Sequence, residues 1–160
     1  MNIKISKQDI TIFDAEKNIL SSRSWAFRFT WSDKISDKEI SGLVQDGKSF
    51  IREFGGKVNF ESRMPDFKAV LDDTWEEEKA NYSPASMTKW AYLSGDIVSV
   101  EYQNEKGERA YFKQEYSKMM EENGAQIYVK DSDSPAFMVA SQEGDYVMGI
   151  VMPIRIEGKR

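Results

Sequence analysis

Two residue types that carry much of protein chemistry are missing from this chain. Its 160 residues include no cysteine and no histidine. Without cysteine there is no disulfide, no thiolate nucleophile and no zinc–thiolate site. Without histidine, Ser-His-Asp and Cys-His arrangements and imidazole metal ligation are impossible. Any catalysis would therefore fall to Asp, Glu, Lys or Tyr.

The chain also lacks long apolar runs and an excess of positive charge. No stretch approaches the roughly 18 consecutive apolar residues of a membrane span, and the first residues lack the apolar run of a signal peptide. We therefore expect a cytoplasmic protein with no membrane partner. With 22 Lys and Arg residues against 27 Asp and Glu residues, the net charge is −5. Contact with DNA would thus require a local basic face.

What is present is typical of one folded domain. Hydrophobic residues make up 40% of the chain and charged residues 31%, which are ordinary values for a globular protein. A chain of this length buries roughly 68–70% of its unfolded surface, enough for one sizeable core. We predict a single domain over residues 1–160, and we expect no bound cofactor and no metal.

Hydrophobic periodicity predicts the order strands, helix, strands, helix, strands. The first helix is predicted from the capping box of Ser36 and Glu39 to Gly55, and the second over about 113–123. The predicted strands cover residues 3–12, 24–31, 57–61, 67–71, 90–93, 97–102, 109–112, 126–129, 136–140 and 146–156. The acidic stretch 72–84 is interpreted as an exposed connection. Because helices do not alternate with single strands, we predict an α+β fold: two strand-helix-strand halves, an antiparallel sheet and two helices on one face.

One stripe of the first predicted helix is basic and polar, without an acidic residue. Its members recur at helical spacing: Lys38, Ser41, Gln45, Lys48 and Arg52. Such a face can lie along DNA phosphates through Lys38, Lys48 and Arg52. The alternative interpretation is a solvated face that serves solubility.

An acid-rich segment offers a catalytic alternative. The sequence Pro65-Asp66, followed by Glu77-Glu78-Lys79, matches the spacing of PD-(D/E)xK nucleases. In that chemistry Asp66 and Glu77 would hold Mg²⁺, and Lys79 would orient a water molecule. The stretch that follows is more typical of a surface loop than of a buried strand, and a short acid-rich match is frequent by chance.

The last apolar run contains a proline. Because Pro153 cannot donate to a strand ladder, the predicted strand 146–156 must lie at a sheet edge or end at this residue. Beyond it, Ile154 and Ile156 are left near the surface on either side of Arg155. Apolar groups beside an arginine favour a peptide-docking site. The alternative is a final core strand with a frayed tail.

Four motifs occur in the order found in one protein family. They are Met64-Pro65-Asp66-Phe67, the strand 97–102 with its turn and the helix opening Phe112 to Tyr116, the segment Asp131 to Pro135, and the ending Val151-Met152-Pro153-Ile154-Arg155. Together they resemble the C-terminal domain of the bacterial sliding clamp, the beta subunit of DNA polymerase III. The resemblance covers residues 57–71 and 95–156.

The resemblance implies a non-enzymatic, clamp-like protein of DNA replication, of the kind that a phage or mobile element could encode. It would bind a polymerase or another protein through a clamp-binding peptide, and could contact double-stranded DNA. A lone domain would close a ring only as an oligomer. A non-catalytic domain that interferes with host replication is the alternative. The positions implied for the peptide pocket are Pro65, Val70, Tyr116, Pro135, Ile150, Met152, Pro153, Ile154 and Arg155.

Overall fold

The computed structural model describes residues 1–60, 63–141 and 145–156. The chain divides into two compact units, Met1–Lys68 and Ala69–Arg160. Each unit combines antiparallel strands with helices, so the predicted α+β class is confirmed. The single domain over 1–160 stays a prediction. No helix in the described part of the chain is long and apolar enough to cross a membrane.

The first unit is built from short strands and one helix. Their bounds are β1 Asn2–Ile3, β2 Thr11–Asp14, β3 Ile19–Ser21, β4 Trp25–Arg28, β5 Lys34–Ile35, α1 Lys38–Gln45, β6 Phe50–Arg52 and β7 Val58–Asn59. Strands β1 and β5 form a separate parallel pair. The others follow the antiparallel order β4-β3-β2-β6-β7. The predicted strand 57–61 is thus shorter, and Glu61 lies outside the described residues.

One row of apolar side chains crosses four of these strands and forms the core of the unit. Phe27 pairs with Leu20, Leu20 with Phe13, and Phe13 with Phe50. All four side chains are buried, and the rings of Phe13 and Phe50 lie 5.9 Å apart. Neighbouring strands in register place such side chains in contact, which stabilises the pairing.

The strand predicted over 24–31, in which every second residue from Trp25 to Trp31 is aromatic, is shorter than predicted. Trp25 and Phe27 are buried, but β4 ends at Arg28. Beyond that point the chain turns, Phe29 is half-buried and Trp31 is 98% exposed. The period-two pattern therefore extends beyond the strand that carries it.

The first helix is shorter than predicted. Its N-cap is Asp37 and not Ser36, because the Asp37 carboxylate accepts the Ile40 N–H at 3.1 Å. The helix ends at Gln45, where Gly47 follows with a φ of +71° that glycine adopts at little cost. The predicted extension to Gly55 is wrong, since residues 50–52 form strand β6.

Arg52 therefore lies on a strand and is buried in an ion-pair cluster. Its Nη1 donates to Asp37 Oδ2 at 2.8 Å and to Glu39 Oε1 at 3.2 Å. Burial by itself raises the pKa of Asp37, but the hydrogen bonds from Arg52 and Ile40 and the charge of Arg52 outweigh it. The pKa of Asp37 is lowered as a result. The cluster ties the start of α1 to β6.

Replacing Asp37 should change how stability depends on pH. Because its folded pKa is depressed, Asp37 contributes stability above its unfolded pKa of about 3.9, and this is lost as pH falls through the folded value. We expect Asp37→Asn to lower the free energy of unfolding by about 2 kcal/mol at pH 7. The difference from wild type should shrink below about pH 4.

Urea unfolding at neutral and acidic pH measures this difference. The matched control is Glu39→Gln, because the Glu39 side chain is 55% exposed and should contribute under about 0.5 kcal/mol. A gap between wild type and Asp37→Asn that does not change with pH would contradict the assignment.

The second unit begins with helical turns and continues as a larger sheet. A π-helical turn covers Ala69–Asp73, and the elements that follow are α2 Thr74–Glu78, a 3₁₀ turn Lys79–Asn81, β8 Ser83–Ser94, β9 Ile97–Asn104, β10 Arg109–Lys113, α3 Gln114–Glu122, β11 Gln126–Val129, β12 Ala136–Ser141 and β13 Asp145–Val151. The antiparallel strand order is β10-β9-β8-β11-β12-β13. The predicted strands and helix between 90 and 140 are confirmed with shifts at their ends.

An aromatic cluster explains why residues 67–84 differ from their predictions. Trp75 packs against Tyr82, Tyr128 and Phe137 with ring centroids 5.0–5.6 Å apart. Its indole N–H donates to Asp145 Oδ2 at 2.9 Å. The free energy gained by burying this ring offsets the entropy lost when the acidic segment becomes ordered. The strand predicted at 67–71 and the exposed connection at 72–84 are therefore wrong: helical turns occupy Ala69–Asn81.

The two units share part of their chain topology. In each, three strands form a meander, a helix comes next (after the short strand β5 in the first unit), and the strand after that helix pairs antiparallel with the first strand of the meander. The returning pairs are β6 with β2 and β11 with β8. This repeated connectivity corresponds to the two strand-helix-strand halves that the sequence predicts.

Candidate functional site

The C-terminal segment bends away from its strand at Pro153. Strand β13 ends at Val151, two residues before the proline, so the predicted strand 146–156 is too long. After the proline, the Ile154 N–H donates to the Tyr111 carbonyl at 2.7 Å. Tyr111 lies on β10, whose strand partner in the described residues is β9. The segment thus meets β10 on the side away from β9.

A polar turn holds the next residue of this segment. Arg155 Nε lies 3.1 Å from Asp133 Oδ1 in an exposed ion pair. Asp131 Oδ1 fixes that turn by accepting the N–H groups of Asp133 and Ser134 at 2.9 and 2.7 Å. Burial raises the pKa of Asp131, but these hydrogen bonds outweigh it and the pKa is lowered. The turn therefore stays charged and ordered, and Arg155 is directed toward it.

Of the predicted pocket residues in the second unit, three are exposed, Arg155 among them, and five are half-buried. Met152 is 40% exposed and Val70 is 41% exposed. The half-buried members are Tyr116, Pro135, Ile150, Pro153 and Ile154. The Pro135 carbonyl accepts the Tyr82 hydroxyl at 2.8 Å. Pro65 is exposed and belongs to the first unit.

Helix α3 follows β10 directly and carries Tyr116 in its first turn. Tyr111 and Tyr116 are separated by the short junction between β10 and α3. Lys113 Nζ lies 5.6 Å from the centre of the Tyr116 ring, a cation–π contact. The hydroxyls of Ser117 and Tyr102 are 2.9 Å apart and fix the helix on the sheet. A pocket shared by Tyr116 and the residues after Pro153 stays a prediction.

Sequence reasoning missed a buried carboxylate on the neighbouring strand. Glu101 on β9 is fully buried, and the Thr88 hydroxyl donates to its Oε1 at 3.0 Å. Arg109 Nε lies 4.0 Å from the same oxygen. Tyr111 stands opposite Glu101 in the register, and its ring meets Tyr92 edge-on at 5.2 Å. The one signal in the sequence is an acidic residue inside a predicted strand that is mostly apolar.

This carboxylate anchors a three-residue bulge in β8. Met87 pairs with Tyr102 and Ala91 with Val100, so residues 88–90 oppose Glu101 alone. The Thr88 hydroxyl also accepts the Trp90 N–H at 3.1 Å. Bulges redirect side chains and recur next to functional sites.

The β8–β9 hairpin around this bulge exposes a set of large apolar side chains. They are Met87, Trp90, Leu93 and Ile97. Strand β11 pairs only with Ser83 and Pro84 of β8, so the rest of β8 has no strand on that side among the described residues. Such clustered exposure marks interaction surfaces more often than chance.

The structure separates the predicted DNA-binding residues. Lys38 is exposed at the start of α1, and Lys48 is exposed in the turn after it. Arg52 is 2% exposed and engaged by Asp37 and Glu39. The single helical stripe is therefore wrong because the helix ends before Lys48. DNA contact through Lys38 and Lys48 stays a prediction.

The residues of the nuclease alternative show no assembled metal site. Asp66 belongs to the first unit. Glu77 is exposed on α2, and Lys79 Nζ pairs with Glu76 Oε2 at 3.0 Å and Asp145 Oδ2 at 3.7 Å. Within residues 1–60, 63–141 and 145–156, no group of three or more Asp and Glu side chains is placed to hold a metal ion.

Comparisons of the chain with protein-family models, curated proteins and solved structures found no match. The resemblance to sliding clamps therefore depends on the sequence motifs.

The ionisation of Tyr111 reports on the buried carboxylate. Burial, followed by the hydrogen bond and charge of Glu101 and by Tyr92, raises the pKa of Tyr111 to about 12. In Glu101→Gln we expect this pKa to fall but to stay above 10, because burial is the largest cause. NMR titration of ¹³C-labelled tyrosine measures it, with Tyr111→Phe to assign the signal. An unchanged Tyr111 pKa in Glu101→Gln would contradict this arrangement.

Proposed function

We propose that this chain is a non-catalytic binding protein that takes up a short apolar peptide of a partner protein at the β10–α3 corner of its second unit. In its finer form the proposal is a clamp-like protein of DNA replication, whose partner is a polymerase or another protein with a clamp-binding peptide. The observation that carries it is the hydrogen bond from Ile154 to Tyr111, which directs the segment after Pro153 toward this corner.

The exposure and charge of the segment support a peptide ligand. Met152 offers an apolar side chain at the surface, and Arg155 adds a guanidinium whose side chain is 82% exposed. Apolar anchors supply most of the affinity for short peptides, while an exposed charge mainly sets orientation. A peptide with two or three apolar side chains and an acidic or carbonyl group facing Arg155 would fit this chemistry.

The repeated topology supports the finer form. The resemblance implies a domain made of two halves with one helix each, and the two units repeat the same order of meander, helix and returning strand. The motif segments from 97 to 156 all belong to the second unit. The interaction domain that interferes with replication would use the same peptide surface.

Binding of a fluorescein-labelled clamp-binding peptide tests the site. We expect the anisotropy of the peptide to rise on addition of protein. Met152→Glu should weaken binding by at least about tenfold, because a charge replaces an apolar anchor. Arg155→Ala should weaken it by about two- to fivefold, the range of an exposed charge.

The control is Met87→Glu, since Met87 is 42% exposed and Met152 is 40% exposed in the same unit. Equal losses in both Met variants would show that the peptide responds to general surface charge. No anisotropy change at high protein concentration would refute the peptide site.

DNA contact is the second part of the clamp proposal. If Lys38 and Lys48 face phosphates, the logarithm of affinity for duplex DNA should fall with the logarithm of salt concentration with a slope of about −2. Lys48→Glu should weaken binding and bring the slope closer to zero, whereas Lys57→Glu, an exposed lysine of the same unit, should leave it unchanged. Binding that ignores salt, or equal effects of both variants, would contradict this contact.

A further inference from the structure

One cavity is lined by residues of the first unit. Its volume is about 530 Å³, which is in the range of sites for small molecules. Its apolar lining includes Phe13, Phe29, Ile35 and Val44. Among the described residues, none that lines it belongs to the second unit, so it is distinct from the proposed peptide site.

A tryptophan side chain at this cavity is exposed to solvent. Trp31 lines the pocket and is 98% exposed. The turn that carries it is fixed by hydrogen bonds: Asp33 N–H to the Thr30 carbonyl at 3.0 Å, and Thr30 N–H to Asp33 Oδ2 at 2.9 Å. The hydroxyls of Thr30 and Ser32 form a third hydrogen bond in this turn and lie 3.0 Å apart. The fold thus displays a large aromatic ring that is almost fully exposed among the residues the structure describes, and a flat ligand would cover it.

Polar groups on the helix complete one wall. Ser41 and Gln45 line the pocket from α1, and residues four apart lie on the same side of a helix. Neither side chain has a hydrogen-bond partner among the residues that the structure describes. They are therefore available to the edge of a ligand.

The charge at the pocket is positive. Asp33 Oδ1 pairs with the Met1 amino group at 3.1 Å, and both groups are almost fully buried. Lys34 is exposed and lines the pocket, and within the described ranges it makes no ion pair. With Asp33 compensated, Lys34 provides the charge that a ligand would meet.

We propose that this pocket binds a small planar aromatic molecule that carries one acidic group. The ring stacks on Trp31, the ring edge meets Ser41 and Gln45, and the acidic group faces Lys34. Aromatic stacking, a hydrogen-bonding edge and one charge pair fix the orientation of such a ligand.

The probe is naphthalene-2-carboxylate, titrated into ¹⁵N-labelled full-length protein and followed by amide chemical shifts. We expect shifts concentrated at Asn18, Ser41, Gln45 and Gly47, which all line the pocket. The saturated analogue, decahydronaphthalene-2-carboxylate, has the same charge but no π-face and should bind about fivefold more weakly. Lys34→Gln should weaken binding of the aromatic acid by about two- to fivefold.

Trp31→Ala is the decisive variant, because a side chain this exposed contributes little to folding. It should weaken binding of the aromatic acid by about fivefold. Trp90→Ala, which removes a tryptophan that is 56% exposed in the second unit, should leave binding unchanged. The proposal is overturned if the pocket amides do not shift at the solubility limit of the probe, if both acids bind equally, or if Trp31→Ala binds as wild type does.

Discussion

The strands that follow α1 and α3 each pair with the first strand of the preceding meander, and this pairing determines which strand edges stay open in each unit. Backbone groups along that first strand need partners, and β6 and β11 provide them. In the second unit β11 covers only the first two residues of β8, so the rest of β8 can carry a bulge and exposed apolar side chains. At the other end of the meander, β10 keeps a side on which it accepts the bond from Ile154.

At Pro153 the chain leaves β13 and approaches the open side of β10. Because it has no N–H, β13 cannot continue through it, and Ile154 provides the next donor. Arg155 then reaches a turn that Asp131 holds together. A single imino acid thus links the end of the sheet to the β10–α3 corner.

Much of the fold could be predicted from the sequence, because the sequence features that mark its helices and strands are local. Strand β11 and helix α3 are separated by Gly124, whose φ is +78°. The predicted end of the first helix was wrong for an equally local reason. Gly47 ends the helix, although apolar residues continue at helical spacing beyond it. The burial of Trp75 and Glu101 was not predicted, because it depends on residues that are not their neighbours in the chain. Tyr128 packs on Trp75 from far along the sequence, and Arg109 reaches Glu101 from the neighbouring strand.

The bulge in β8 also affects how copies of this protein meet. An exposed strand edge with large apolar side chains invites another chain to add in register and grow a fibril. Three residues opposite one break the regular spacing that such stacking requires, and Lys89 within the bulge adds repulsion between like charges. The hairpin can therefore present Trp90 to solvent while resisting self-assembly along its edge.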